Sequence, residues 1–139
     1  MTRPTITDEV LGWAAAALAL KGCDAQTRLA AQDAPTYVTC EEGFVLYANE
    51  ACARFVGRTP APGEDRFTVA WKLYTNDGEF LHKDESPLAL AIRQRRPIRG
   101  ASAVAERPDG TRVAFKAYPT PIFGRDGKLV GAANVLLPA

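Results

Sequence analysis

The spacing of apolar positions changes twice along the chain. Leu11, Ala14, Ala15 and Leu18 recur at helical spacing, with Trp13, Ala17 and Leu20 on an adjoining face. Thr5 with Asp8 three residues on forms a weak capping box, and Gly22 is a natural stop. Asp24 can cap a second short helix, AQTRLAAQ, which must end before Ala34-Pro35 because the residue before proline avoids the helical region. Residues 5–32 are therefore predicted as two helices or one broken helix. The period then shortens. TYVTC (36–40) and FVLYA (44–48) are β-branched and aromatic, with Glu41-Glu42-Gly43 between them, which predicts a hairpin. Asn49 caps EACARFV as a short helix and Gly57 closes it.

Residues 58–70, with two prolines and a glycine, read as loop. WKLYTNDGEFL (71–81) is ambiguous apart from the turn at Asn76-Asp77-Gly78. Asp84 or Ser86 caps a further helix, PLALAIRQRR, with Pro87 in its first turn and Pro97 beyond its end. Three strands follow, at about 99–107, 111–120 and 128–137. In the middle one Val113, Phe115 and Ala117 alternate with Arg112, Lys116 and Tyr118, so one face is apolar and the other mixed. Pro119 and Pro121 should bend or end it, since proline cannot join a central ladder.

This order of elements, with YANEACARFVGR after the second strand, resembles a PAS domain. So does the later stretch: WKLYTNDGEFLHKDESPLALAIRQRRPI, then ERPDGTR, then YPTPIFGRDGKLVGAANVLL. It is similar to the sensor modules of alphaproteobacterial histidine kinases. PDG and RDG alone are only hairpin turns; their joint order and spacing over residues 34–137 carry the resemblance. It implies an α+β fold, a five-stranded antiparallel sheet of order 2-1-5-4-3 with helices on one face. Residues 34–139 would be the PAS-like sensor domain and residues 1–33 an N-terminal helical cap and dimerisation segment. Such modules usually end in an Asp-Ile-Thr-like step into a signalling helix, whereas this chain ends LLPA. A stand-alone sensor and an excised domain both fit.

Composition narrows the function classes. Seventeen basic and sixteen acidic side chains leave a net charge of +1, no broad electrostatic reason to bind nucleic acid or an anionic membrane. The apolar run VLGWAAAALAL (10–20) is too short to span a bilayer. Ala17-Leu18-Ala19 has the look of a cleavage site, but Asp8 and Glu9 against Arg3 are the wrong balance for a secretion signal. Cys23, Cys40 and Cys52 are odd in number and without C-x-x-C spacing. They point to a reducing cytoplasm rather than a disulfide or zinc framework, with the cysteines acting as small hydrophobes.

No catalytic set is expected, because no nucleophile stands beside a base and no paired carboxylates share a pocket. His82 precedes the cap of its helix by about a turn, a poor place for a haem ligand. Cys52-Ala53-Arg54-Phe55 superficially resembles the flavin-binding cysteine motif of the light-sensing subclass, one element too early and without its Asn-Cys-Arg core. Haem and flavin are therefore disfavoured and the cofactor is left open. Arg93, Arg95, Arg96 and Arg99 fit a solvated cluster at a helix C-terminus, and Asp84-Glu85 fit helix-start charge. Trp71, Tyr74, Phe80, Phe115 and Tyr118 are the candidate ligand-binding side chains. The residues allow either such a pocket or a filled core. Ala114, Ala117, Gly131, Ala132 and Ala133 nearby favour some free space.

On the last strand Leu129, Ala133, Val135 and Leu137 alternate with Val130, Ala132, Asn134 and Leu136, so both faces are largely apolar and need two covers. The central helices supply one. Leu11, Trp13, Leu18 and Leu20 are the candidates for the other, within the chain or against a second copy, so a homodimer is expected. The expected function is a non-catalytic sensory module that binds a small ligand or partner protein and signals through dimer packing. A histidine kinase is a candidate partner. The alternatives are a small enzyme or carrier with Glu106 or Asp84 as its acid, or a purely structural dimeriser.

Overall fold

The computed structural model describes residues 34–139. The helices expected over 5–32, the candidate dimer residues Leu11, Trp13, Leu18 and Leu20, and Cys23 lie outside the described residues. The chain opens with strands β1 (Thr36–Cys40) and β2 (Val45–Ala48), an antiparallel hairpin. Its turn closes where the Gly43 N–H donates to the Cys40 carbonyl at 3.0 Å, with Gly43 at φ 89. Helix α1 (Glu50–Val56) follows at once, capped by the Asn49 side chain and ended by Gly57 in the left-handed conformation.

The ambiguous stretch resolves as a small hairpin, β3 (Lys72–Tyr74) and β4 (Phe80–Leu81), with Gly78 at φ 87 in its turn. A single 3-10 turn, Lys83–Glu85, leads into helix α2 (Pro87–Gln94). Ser86 rather than Asp84 caps α2, and Pro87 sits in its first turn, where its missing N–H costs nothing. The helix ends earlier than its sequence pattern predicts because Arg95 turns left-handed at φ 56.

Four strands complete the domain: β5 (Ala101–Glu106), β6 (Arg112–Ala117), β7 (Thr120–Phe123) and β8 (Leu129–Pro138). The two around the prolines are one strand interrupted. β6 pairs the end of β8 and β7 pairs its beginning. Between them the Tyr118 N–H donates to both the Val135 carbonyl and Asn134 Oδ1. Pro121 is tolerated within β7 because that strand pairs β8 alone.

The sheet runs β2-β1-β8-β6-β5-β3-β4, with β7 also on β8. Counting β6 and β7 as one strand, its first five positions are the expected 2-1-5-4-3. The β3–β4 hairpin extends the edge beyond β5. One face carries the main core, in which Tyr37, Leu73, Ala103, Ala105, Phe115, Ala117, Ala132 and Leu136 pack against Cys52 and Val56 of α1 and Leu88 of α2. Burying a leucine such as Leu88 contributes about 2 kcal/mol.

The opposite face is divided. Val38 pairs Ala133 and Thr36 pairs Val135, and all four are buried. Ile122, paired with Gly131, is buried too. Farther across, Ser102 and Lys116 pair and Ala114 faces Val104; of these, Ser102, Lys116 and Ala114 are exposed. The half made by β1, β7 and β8 is thus apolar and covered, and the half made by β5 and β6 is open. In β8 itself Gly131 through Leu136 are all buried, so this strand is covered on both faces as its composition predicts.

Candidate functional site

Two places combine aromatic and polar side chains. The first is inside. Tyr37 on β1 and Asn134 on β8 stand directly opposite in the ladder. Asn134 Nδ2 donates to the Tyr37 hydroxyl at 3.0 Å, and that hydroxyl donates to the Phe67 carbonyl at 2.8 Å. Asn134 Oδ1 accepts from the Tyr118 N–H at 3.1 Å. A chain of hydrogen bonds therefore crosses the sheet from the 58–70 loop to the break between β6 and β7. Burial pushes the Tyr37 phenol far above its usual range. Among the described residues every buried side-chain polar atom has a partner.

Phe67 holds the loop end of this chain in an unusual conformation. Its φ is 67, a region that bulky residues avoid. Its N–H donates to the Gly43 carbonyl at 2.7 Å, and its ring packs where a Cβ on Gly43 would sit. The Arg66 guanidinium lies over the rings of Phe44 and Phe67, at 4.9 and 4.7 Å from their centroids. The space enclosed beneath, among Tyr37, Val56, Phe115 and Asn134, is about 10 Å³, room for one water at most.

The second place is at the outer edge of the sheet. A half-open cleft of about 260 Å³ lies beside the β3–β4 hairpin. Leu73, Leu81 and Ala70 are its more buried members, Trp71 and Phe80 its exposed aromatic ones, and Arg66, Lys72, His82 and Lys83 its basic ones. Trp71 is 46% exposed and Phe80 62%. Lys72 Nζ sits over the Trp71 ring at 4.5 Å.

The described fold was compared with known proteins. No family model and no curated protein matches the sequence. Many solved structures match in shape. The PAS domain of the fruit-fly ELK potassium channel superposes with a TM-score of 0.61 at 11% identity, over 81% of this chain and 91% of its own. The LOV domain of a blue-light activated histidine kinase from Erythrobacter litoralis gives 0.57 at 17%, over 77% and 96%. The light-state dimer of the fungal photoreceptor Vivid gives 0.59 at 14%, over 76% and 77%. The fold is that of a PAS domain.

Within this PAS-like fold the five aromatic candidates do not share one pocket. Phe115 is in the core, edge-on to Phe55 at 6.0 Å. Trp71 and Phe80 line the outer cleft. Tyr74 meets Phe80 edge-on at 5.9 Å on the outer face, with the Arg112 guanidinium 3.9 Å above its ring. Tyr118 is half-buried, its hydroxyl beside Gly100. Tyr37 and Asn134, the polar centre of the interior, were not among the candidates; the available signals were an asparagine amid the apolar residues of β8 and a tyrosine in β1.

The remaining candidates are accounted for locally. His82 Nδ1 accepts from the Asp84 N–H at 3.3 Å at the start of the 3-10 turn, with the side chain 56% exposed at the outer cleft. Cys52 is fully buried on α1, and burial pushes its thiol up to about 12, so it is held as the unreactive thiol. Arg93, Arg95, Arg96 and Arg99 are exposed at and beyond the end of α2, where the helix dipole favours positive charge. Asp84 is exposed, and Glu106 is held by Arg112 at 3.0 Å; neither lines the interior space.

Proposed function

We propose that this PAS domain is a non-catalytic sensory module of a cytoplasmic signalling system, acting as a homodimer that passes a change of packing to a partner protein such as a histidine kinase. The observation that carries the reading is the divided outer face. Its buried apolar half lies on β1, β7 and β8, and residues 1–33 precede β1 in the sequence. Leu11, Trp13, Leu18 and Leu20 supply apolar surface that can pack on this half-face, within the chain or exchanged with a second copy. A cue that favours one packing of this surface over another shifts the population, and the shift is the signal. The Erythrobacter LOV domain belongs to a histidine kinase and the Vivid structure is a dimer, which supports both partners as candidates.

The interior offers about 10 Å³, too little for haem, flavin or any drug-sized ligand in this packing. A small-molecule cue must therefore bind outside the core or reorganise it. Native mass spectrometry and an absorption spectrum of freshly purified protein test the reading together. A dimer mass is expected. A monomer that turns over a small substrate, with the rate lost when a cleft side chain is altered, would overturn it.

A further inference from the structure

We propose that the cleft beside the β3–β4 hairpin binds a planar aromatic carboxylate. The proposal deepens the sensory reading and rests on it for the purpose of binding, though not for binding itself. Trp71 and Phe80 are the aromatic walls available to a ligand. Among the described residues they are two of the four large apolar side chains left exposed, and both line this one cleft. Aromatic side chains recognise a flat ring by offset or edge-on stacking. Leu73 is 3% exposed and leaves almost no surface, but the half-buried Leu81 and Ala70 give the cleft an apolar strip against which such a ring can lie.

The charges decide what the ring must carry. Arg66, Lys72 and Lys83 line the cleft with Glu64 and Asp65. Asp65 is already held by the Arg58 guanidinium at 3.0 and 3.2 Å and by the Ala61 N–H at 2.7 Å. Arg66 is likewise engaged, its Nε donating to the Glu42 carbonyl at 2.8 Å and its guanidinium over the Phe44 and Phe67 rings. That leaves Lys72 and Lys83 against Glu64, and a carboxylate on the ligand answers that surplus. His82 lines the same cleft and adds a polar ring. The volume of about 260 Å³ sits just below the usual range for drug-sized ligands, which favours one or two fused rings over a nucleotide or flavin.

Indole-3-carboxylate and benzoate are suitable probes, titrated into the 139-residue protein while backbone amide shifts are followed by NMR. Saturable shifts are expected around residues 70–73 and 80–83, with a Kd of about 1 mM or tighter. Trp71→Ala and Phe80→Ala, both at exposed positions that spare the core, should each weaken binding about tenfold. Indole-3-carboxamide, the neutral analogue, should bind several-fold more weakly. No saturable shift, shifts centred on Tyr37, Phe115 and Asn134, unchanged affinity in both variants, or equal binding of the carboxamide would overturn the proposal. The oligomeric mass of the same sample separates the two claims. A dimer that ignores the probes refutes only the cleft, and a monomer that binds them refutes only signalling through a dimer.

Discussion

Asn49 holds two elements together, and the cost of removing it can be worked out bond by bond. Its Oδ1 accepts the Cys52 N–H at 2.9 Å, which caps α1, and also the Thr36 N–H at 3.0 Å, which anchors the start of β1. Its Nδ2 donates to the Ala34 carbonyl at 2.9 Å. In Asn49→Ala the lost cap costs about 1 kcal/mol. The Thr36 N–H is fully buried, so leaving it unpaired costs about 2 kcal/mol more. The Ala34 carbonyl still accepts from the Thr36 hydroxyl at 3.0 Å, so losing the amide donor adds little. The total, about 3 kcal/mol, is a large share of the stability of an ordinary domain. Urea unfolding followed by circular dichroism should show the midpoint fall by about 1.5 M. Asn49→Asp keeps both acceptor contacts but turns a carboxylate oxygen towards the Ala34 carbonyl in place of the donor, so it should cost about 1–2 kcal/mol. A loss under about 1 kcal/mol in Asn49→Ala, or equal losses in the two variants, would refute the view that one side chain serves both helix and strand.

Gly43→Ala places a Cβ 2.2 Å from the Phe67 ring at a φ of 89, whereas Gly63→Ala, at φ 82, meets nothing within 4 Å. The first should cost about 3 kcal/mol and the second about 1 kcal/mol in thermal melts; equal costs would mean that Phe67 is not held against Gly43. Cys52 should resist alkylation at pH 8 in the folded protein and react once it is unfolded, and fast labelling of the native state would contradict its burial. Its pKa is higher folded than unfolded, so the folded state keeps the proton longer. Stability should then fall as pH rises from about 9 towards about 12, by up to about 1.4 kcal/mol per pH unit. Tyr37, raised from its ordinary value of 10.0, adds to the same loss at the alkaline end. Cys52→Ala should flatten the slope just above pH 9, and an unchanged slope there would exclude the thiol as its source.

The elements most legible in the sequence were those fixed by local chemistry. Asn49, Gly57 and Ser86 act within a few residues of themselves, and each sits where its cap or stop was expected. The alternation in β6 and the two-sided apolarity of β8 likewise survive in the burial pattern. The β3–β4 hairpin stayed ambiguous because strands of three and two residues are too short to show a period. The left-handed turns at Phe67 and Arg95 carry no sequence signature, since neither residue favours that conformation. The aromatic set was dispersed for a related reason. Alternation tells which residues share a face within one strand, but only the register places Tyr74 and Phe80 on the outer face and Leu73 and Leu81 on the inner one. The second role of Asn49, and the pairing of Tyr37 with Asn134, depend on contacts between distant parts of the chain that no short window contains.

Sedimentation equilibrium on the 139-residue protein and on a Leu11→Glu, Leu18→Glu variant tests the central claim most directly, with circular dichroism to verify that the sheet is retained. The unaltered protein should run at twice its 15.0 kDa mass and the variant at that mass, with the same strand signal. An unaltered chain that stays monomeric at all concentrations, or a variant that dimerises as well as its parent, would contradict a sensor that speaks through the packing of its outer face.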